Sequence, residues 1–74
     1  MDLEMVVLTR DFPEHGLKTG DVGTVVHRYR GGEGYEVEFL TGEGDTVAVL
    51  TASDSDLRPL ASAEILHVRE LARR

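Results

Sequence analysis

The sequence predicts a small all-β domain, an antiparallel barrel of about five strands, and three observations carry the prediction. The chain is 74 residues long with no cysteine, so it forms one domain whose compactness comes from packing and not from disulfides or thiolate metal sites. Short β-branched or alternating runs recur along it. Glycine-rich turn signals separate them, as in a meander of hairpins.

The stretch that organises the rest is Pro13-Glu14-His15-Gly16-Leu17-Lys18-Thr19-Gly20-Asp21-Val22-Gly23-Thr24-Val25-Val26. Glycine tolerates positive φ and close approach of another strand, whereas Thr24, Val25 and Val26 fit a pleated surface. A turn at Gly20-Asp21 therefore feeds a strand from Val22 to about Arg30. Upstream, Met5-Val6-Val7-Leu8-Thr9 is an apolar run of strand length, ended at Asp11-Phe12-Pro13 because proline cannot donate to a ladder. Phe12 and Leu17 flank the loop containing Pro13 and Gly16, and both are expected to pin it to the core.

Gly31-Gly32-Glu33-Gly34 is a hairpin turn. After it, Tyr35-Glu36-Val37-Glu38-Phe39-Leu40 alternates with period two, placing Tyr35, Val37 and Phe39 on one face and the glutamates on the other. Arg28 and Arg30 are expected to meet Glu36 and Glu38 across this hairpin. Gly42-Glu43-Gly44-Asp45 then turns the chain into Thr46-Val47-Ala48-Val49-Leu50-Thr51. Pairing Phe39 with Val47 and Val37 with Val49 gathers four apolar side chains on one inner face. The predicted core is Val25, Val37, Phe39, Val47, Val49 and Leu57.

Ala52-Ser53-Asp54-Ser55-Asp56 offers side-chain oxygens that cap a single helical or 3₁₀ turn, and Leu57-Arg58-Pro59-Leu60 drops its leucines onto the open end of the barrel. A meander with this closing turn is the small SH3-like pattern. Residues 61–74 fit a helix through Ala61, Ile65, Val68 and Ala72, and fit a strand through Glu64 to Arg69. The barrel still lacks a last strand, which favours the strand, with Arg73 and Arg74 frayed. The whole chain, 1–74, then reads as one SH3-like domain.

The formal net charge is -6 and its distribution is uneven: Glu33, Glu36, Glu38, Glu43, Asp45, Asp54 and Asp56 fall between Gly31 and Leu57, with no lysine or arginine among them. An acidic field repels phosphate backbones, which disfavours nucleic acid as a partner. It serves either solubility or the docking of a basic protein. No apolar run approaches the ~20 residues a membrane span needs, and Met1-Asp2-Leu3-Glu4 is acidic where a signal peptide is basic. A soluble, cytoplasmic protein is expected.

Catalytic and cofactor sites are not expected. His15, His27 and His67 show no His-x-x-x-His spacing. Ser53 and Ser55 lie beside Asp54 and Asp56 with no histidine near them, which suits capping better than nucleophilic catalysis. Glu36 and Glu38 share an exposed face that supplies no burial to raise one pKa. The glycines at 31, 32 and 34 lack the lysine and following helix of a phosphate loop. What remains is a non-catalytic protein-interaction module, presenting an acidic face or an open strand edge. Its candidate contact residues are Tyr29, Tyr35, Glu36, Glu38, Glu43 and Asp45.

Asp11-Phe12-Pro13-Glu14-His15-Gly16-Leu17, Gly20-Asp21-Val22-Gly23-Thr24-Val25-Val26, Tyr35-Glu36-Val37-Glu38-Phe39 and Leu57-Arg58-Pro59-Leu60 together resemble a family of small bacterial proteins, domain of unknown function 4926, over roughly residues 3 to 60. The resemblance implies a small β-barrel without assigned catalytic residues, and a companion role of an antitoxin-like or immunity-like kind. The segment Gly20 to Val26 also resembles the KOW type of SH3-like barrel found in ribosomal and transcription-elongation proteins. That second resemblance implies the alternative function, an RNA- or ribosome-associated module. The chain departs from it in having no basic patch, Lys18 being the only lysine.

Overall fold

In the computed structural model, which describes residues 4–32 and 34–71, five antiparallel strands form a single sheet in the order β4-β3-β2-β1-β5. They are β1 (Glu4–Leu8), β2 (Val22–Arg28), β3 (Tyr35–Leu40), β4 (Thr46–Ala52) and β5 (Leu57–Pro59). Three 3₁₀ turns connect them, at Pro13–His15, Arg30–Gly32 and Asp54–Asp56. Val6 and Leu8 of β1, Val25 of β2, Val37 and Phe39 of β3 and Leu50 of β4 share one buried cluster, with Leu57 of β5 packed against it. Strands from opposite ends of the order reach a common core, so the sheet curls on itself as a small SH3-like barrel.

The loop before β2 folds as its residues dictate. Phe12 and Leu17 are buried and form an isolated antiparallel bridge, with paired backbone hydrogen bonds of 2.9 and 3.1 Å. Arg10 stacks its guanidinium 3.9 Å over the Phe12 ring, covering that ring from solvent. Gly20 turns the chain with φ of 94°, a conformation L side chains resist. Gly23 is required for a different reason. A Cβ there would lie 2.6 Å from Val37 Cγ1 and 2.8 Å from Phe39 Cε2, so its absence lets two core side chains of β3 lie across β2.

The β3–β4 register departs from the alternation reading. Phe39 pairs with Ala48 and Val37 with Leu50, and the pairing shifts between Phe39 and Leu40. This irregularity at the start of β4 offsets the strand by one residue, and a one-residue offset exchanges its two faces. Leu50 and Ala52 are consequently buried, Val47 is half-buried against the core, and Val49 stands 49% exposed. Val49 therefore leaves the predicted core and Leu50 enters it. Val25, Val37 and Phe39 are buried as expected.

The last strand also lies elsewhere than Glu64 to Arg69. Leu57, Arg58 and Pro59 pair with Leu8, Val7 and Val6, so the free edge of β1 is already occupied before the tail begins. A capping box introduces this strand: Asp56 accepts hydrogen bonds from the Ser53 backbone and hydroxyl, both at 3.1 Å. Residues 65–71 form neither strand nor helix, and Ile65 and Val68 are 93% and 89% exposed. Expectations for Glu33, Ala72, Arg73 and Arg74 lie outside the described residues.

Candidate interaction surface

The alternation of β3 turns Glu36, Glu38 and Leu40 away from the core, and its neighbours complete an outer face around them. Glu38 is flanked in register by Thr24 of β2 and Val49 of β4; Glu36 is flanked by His27 and Thr51. A second irregularity, between Val25 and His27, leaves Val26 as an extra residue in β2 and 41% exposed. Val26, Leu40 and Val49 thus supply exposed apolar surface beside two carboxylates.

Both carboxylates are held by hydroxyl donors. The Tyr29 hydroxyl donates to Glu36 Oε2 at 2.7 Å, and the Thr46 hydroxyl donates to Glu38 Oε2 at 2.7 Å. His27 meets the Tyr29 ring edge-on, with centroids 4.7 Å apart, which steadies the tyrosine. The hydrogen bond to Glu36 raises the Tyr29 pKa above 10.0, because the phenol is a donor only while it keeps its proton.

Neither carboxylate has a cationic partner among the described residues. Among the described residues the ion pairs are Arg10–Asp56, Arg28–Glu4, Arg58–Glu64 and Arg69–Asp21. The expected pairing of Arg28 and Arg30 with Glu36 and Glu38 is therefore corrected. Arg28 lies opposite Tyr35 and reaches Glu4, while Arg30 begins the 3₁₀ turn after β2. The physical reason is again the extra residue in β2, which carries Arg28 to the other side of the sheet.

The remaining candidates divide. Glu43 and Asp45 sit exposed in the β3–β4 turn, where Thr41 and Asp45 exchange hydrogen bonds, at the Thr46 end of the outer face. Tyr35 lies away from it. It lines a groove of about 240 Å³ with Glu4, Arg28, Asp54, Leu57 and Pro59, and a hydrogen bond to Asp54 raises its pKa. His27, Val26, Thr46 and Val49 join the outer face although the sequence reading does not place them among the contact residues. Only strand register, which is a non-local property, brings them there.

The fold and this surface define a small SH3-like barrel with an acidic, partly apolar outer face. The chain belongs to the family described as Domain of unknown function (DUF4926), whose model matches residues 3–59. The match covers all five strands and ends at Pro59, the last residue of β5. Nothing matches among the curated proteins or among the solved structures.

Proposed function

We propose that the protein is a non-catalytic interaction module that docks a basic protein on the outer face of β2, β3 and β4. The observation that carries this reading is that Glu36 and Glu38 are each oriented by a hydroxyl at 2.7 Å and paired with no cation among the described residues. Glu4, Asp21, Asp56 and Glu64 are matched to arginines; here two neighbouring charges are left for an outside partner. A lysine- or arginine-bearing surface meets charge at both glutamates and apolar area at Val26, Leu40 and Val49. Glu43 and Asp45 extend the field at the turn and chiefly speed encounter.

The same charges argue against the RNA-associated alternative, since Arg10, Arg28, Arg58 and Arg69 are engaged with carboxylates and phosphate binding draws on free cations. No described helix is long and apolar enough to cross a membrane. A cytoplasmic setting completes the reading, supported by the lack of cysteine. A basic protein partner would give chemical content to the companion role that the family resemblance implies.

The test is affinity capture from native lysate with the wild type and a Glu36→Gln/Glu38→Gln variant, read by mass spectrometry at low and high salt. A stoichiometric partner of net positive charge, retained by the wild type and lost by the variant and at high salt, supports the reading. A partner held equally by both proteins, or capture of RNA, overturns it.

A further inference from the structure

We infer that the basic partner binds as an extended segment added to the free edge of β4, forming a sixth strand whose lysine or arginine side chains reach Glu36 and Glu38. The inference rests on the docking face proposed above and assigns its geometry. The two ends of the sheet are treated differently. β5 is three residues long, contains Pro59 and carries Arg58, and beyond it the tail is fastened by the Arg58–Glu64 pair at 2.7 Å. Such devices blunt an edge against further pairing.

β4 has none of them. It is the outermost strand at the other end of the order, and its seven residues, Thr-Val-Ala-Val-Leu-Thr-Ala, include no charge and no proline. Among the described residues its strand pairing is with β3 alone. Every second residue of an edge strand turns its N–H and C=O outward. From Ala48 to Ala52, past the irregularity at Val47, this uncharged ladder is a template for an added strand.

Register specifies what that strand carries. On the outer face β4 presents Val49 opposite Glu38 and Thr51 opposite Glu36. A strand beside β4 lies two spacings, roughly 10 Å, from β3, a span that a lysine or arginine extended over the β4 side chains bridges toward the glutamates. Residues pointing the same way in the added strand recur at every second position. The matching sequence therefore alternates basic with small or β-branched residues, the latter lying against the inner edge beside Leu50 and Ala52. A second copy of this chain is a poor occupant, because it brings another -6 of charge and an uncharged edge of its own.

The experiment titrates the full chain, labelled with nitrogen-15, with an eight-residue peptide of alternating lysine and valine, and with a block isomer having its four lysines together. The expected result is at least tenfold tighter binding of the alternating peptide, with new hydrogen-exchange protection confined to β4 amides. Val49→Lys, which places a cation on the outer face of the edge, should weaken binding at least tenfold with the fold intact. Equal affinity for the two peptides, or no protection in β4, overturns strand addition. Sedimentation showing a dimer through β4 in the free chain overturns it too. The Glu36→Gln/Glu38→Gln variant separates the two readings. Loss of binding in that variant without β4 protection in the wild type leaves the docking face standing, and binding unchanged in it removes both.

Discussion

Arg69 is joined to Asp21 by hydrogen bonds of 2.6 and 2.8 Å that span 48 positions of the chain. The same guanidinium donates to the Gly16 carbonyl at 3.0 Å, so one side chain ties the tail to the loop and turn preceding β2. Burial works against the Asp21 charge, yet hydrogen bonds from Arg69 and from the Lys18 N–H outweigh it and hold the carboxyl below 3.8. With Ile65 and Val68 exposed, polar anchors and not apolar burial of those side chains hold this part of the tail. Changing Arg69 to Gln should release residues 65–71, seen as a fall in their heteronuclear NOE. The barrel should lose only about 1 kcal/mol, because the freed tail regains conformational entropy.

The other anchor sets a pH dependence. The Arg58 side chain and the Ala61 N–H hold the Glu64 pKa at about 2, against an ordinary 4.5. A depressed carboxyl contributes its stabilisation above the ordinary value and loses it as pH falls through the folded one. Attachment at Glu64 should therefore be complete above pH 4.5 and lost on acidification toward pH 2. The carboxyl carbon shift of Glu64 should report that midpoint, and Arg58→Gln should move it upward.

Core position and exposed position are separated by truncation. Phe39→Ala should cost ~3 to 5 kcal/mol in denaturant titration, since Phe39 is buried in the cluster. Val49→Ala should cost less than about 1 kcal/mol. Comparable losses at both sites would contradict the β3–β4 register.

Two glycines should fail for different reasons. Gly20→Ala is strained by positive φ, and asparagine, which visits that region more readily, should be milder. Gly23→Ala drives a Cβ into Val37 and Phe39, an overpacking cost of ~1 to 3 kcal/mol. Shortening Phe39 to Leu should restore part of the loss at Gly23 and none at Gly20, which a double-mutant cycle measures.

Tyr29 reports the orientation of Glu36. Its pKa is raised above 10.0 by the hydrogen bond to that carboxylate, so Glu36→Gln should bring it back toward the ordinary value. A tyrosine ring-carbon titration by NMR that is unchanged in the variant would show that Tyr29 and Glu36 do not interact in solution.

Local chemistry made much of this molecule legible. The period-two alternation of Tyr35 to Leu40, the Gly20-Asp21 turn, the pinning of the loop by Phe12 and Leu17, and the cap formed by Ser53 and Asp56 all depend on residues a few positions apart. The all-β class and most of the core followed from them. The tertiary structure decided what depends on pairing between distant segments. Ala48, Leu50 and Ala52 are apolar just as Val47 and Val49 are, so alternation alone admits either face of β4 inward, and the shift beside Leu40 selects one. The extra residue at Val26 likewise turned Arg28 from the β3 glutamates to Glu4. The short run Leu57 to Pro59 became the fifth strand because β1 offered an edge that no local pattern reveals. Those long-range choices, and not the acidic composition, left Glu36 and Glu38 without an ion pair among the described residues, next to the edge strand β4.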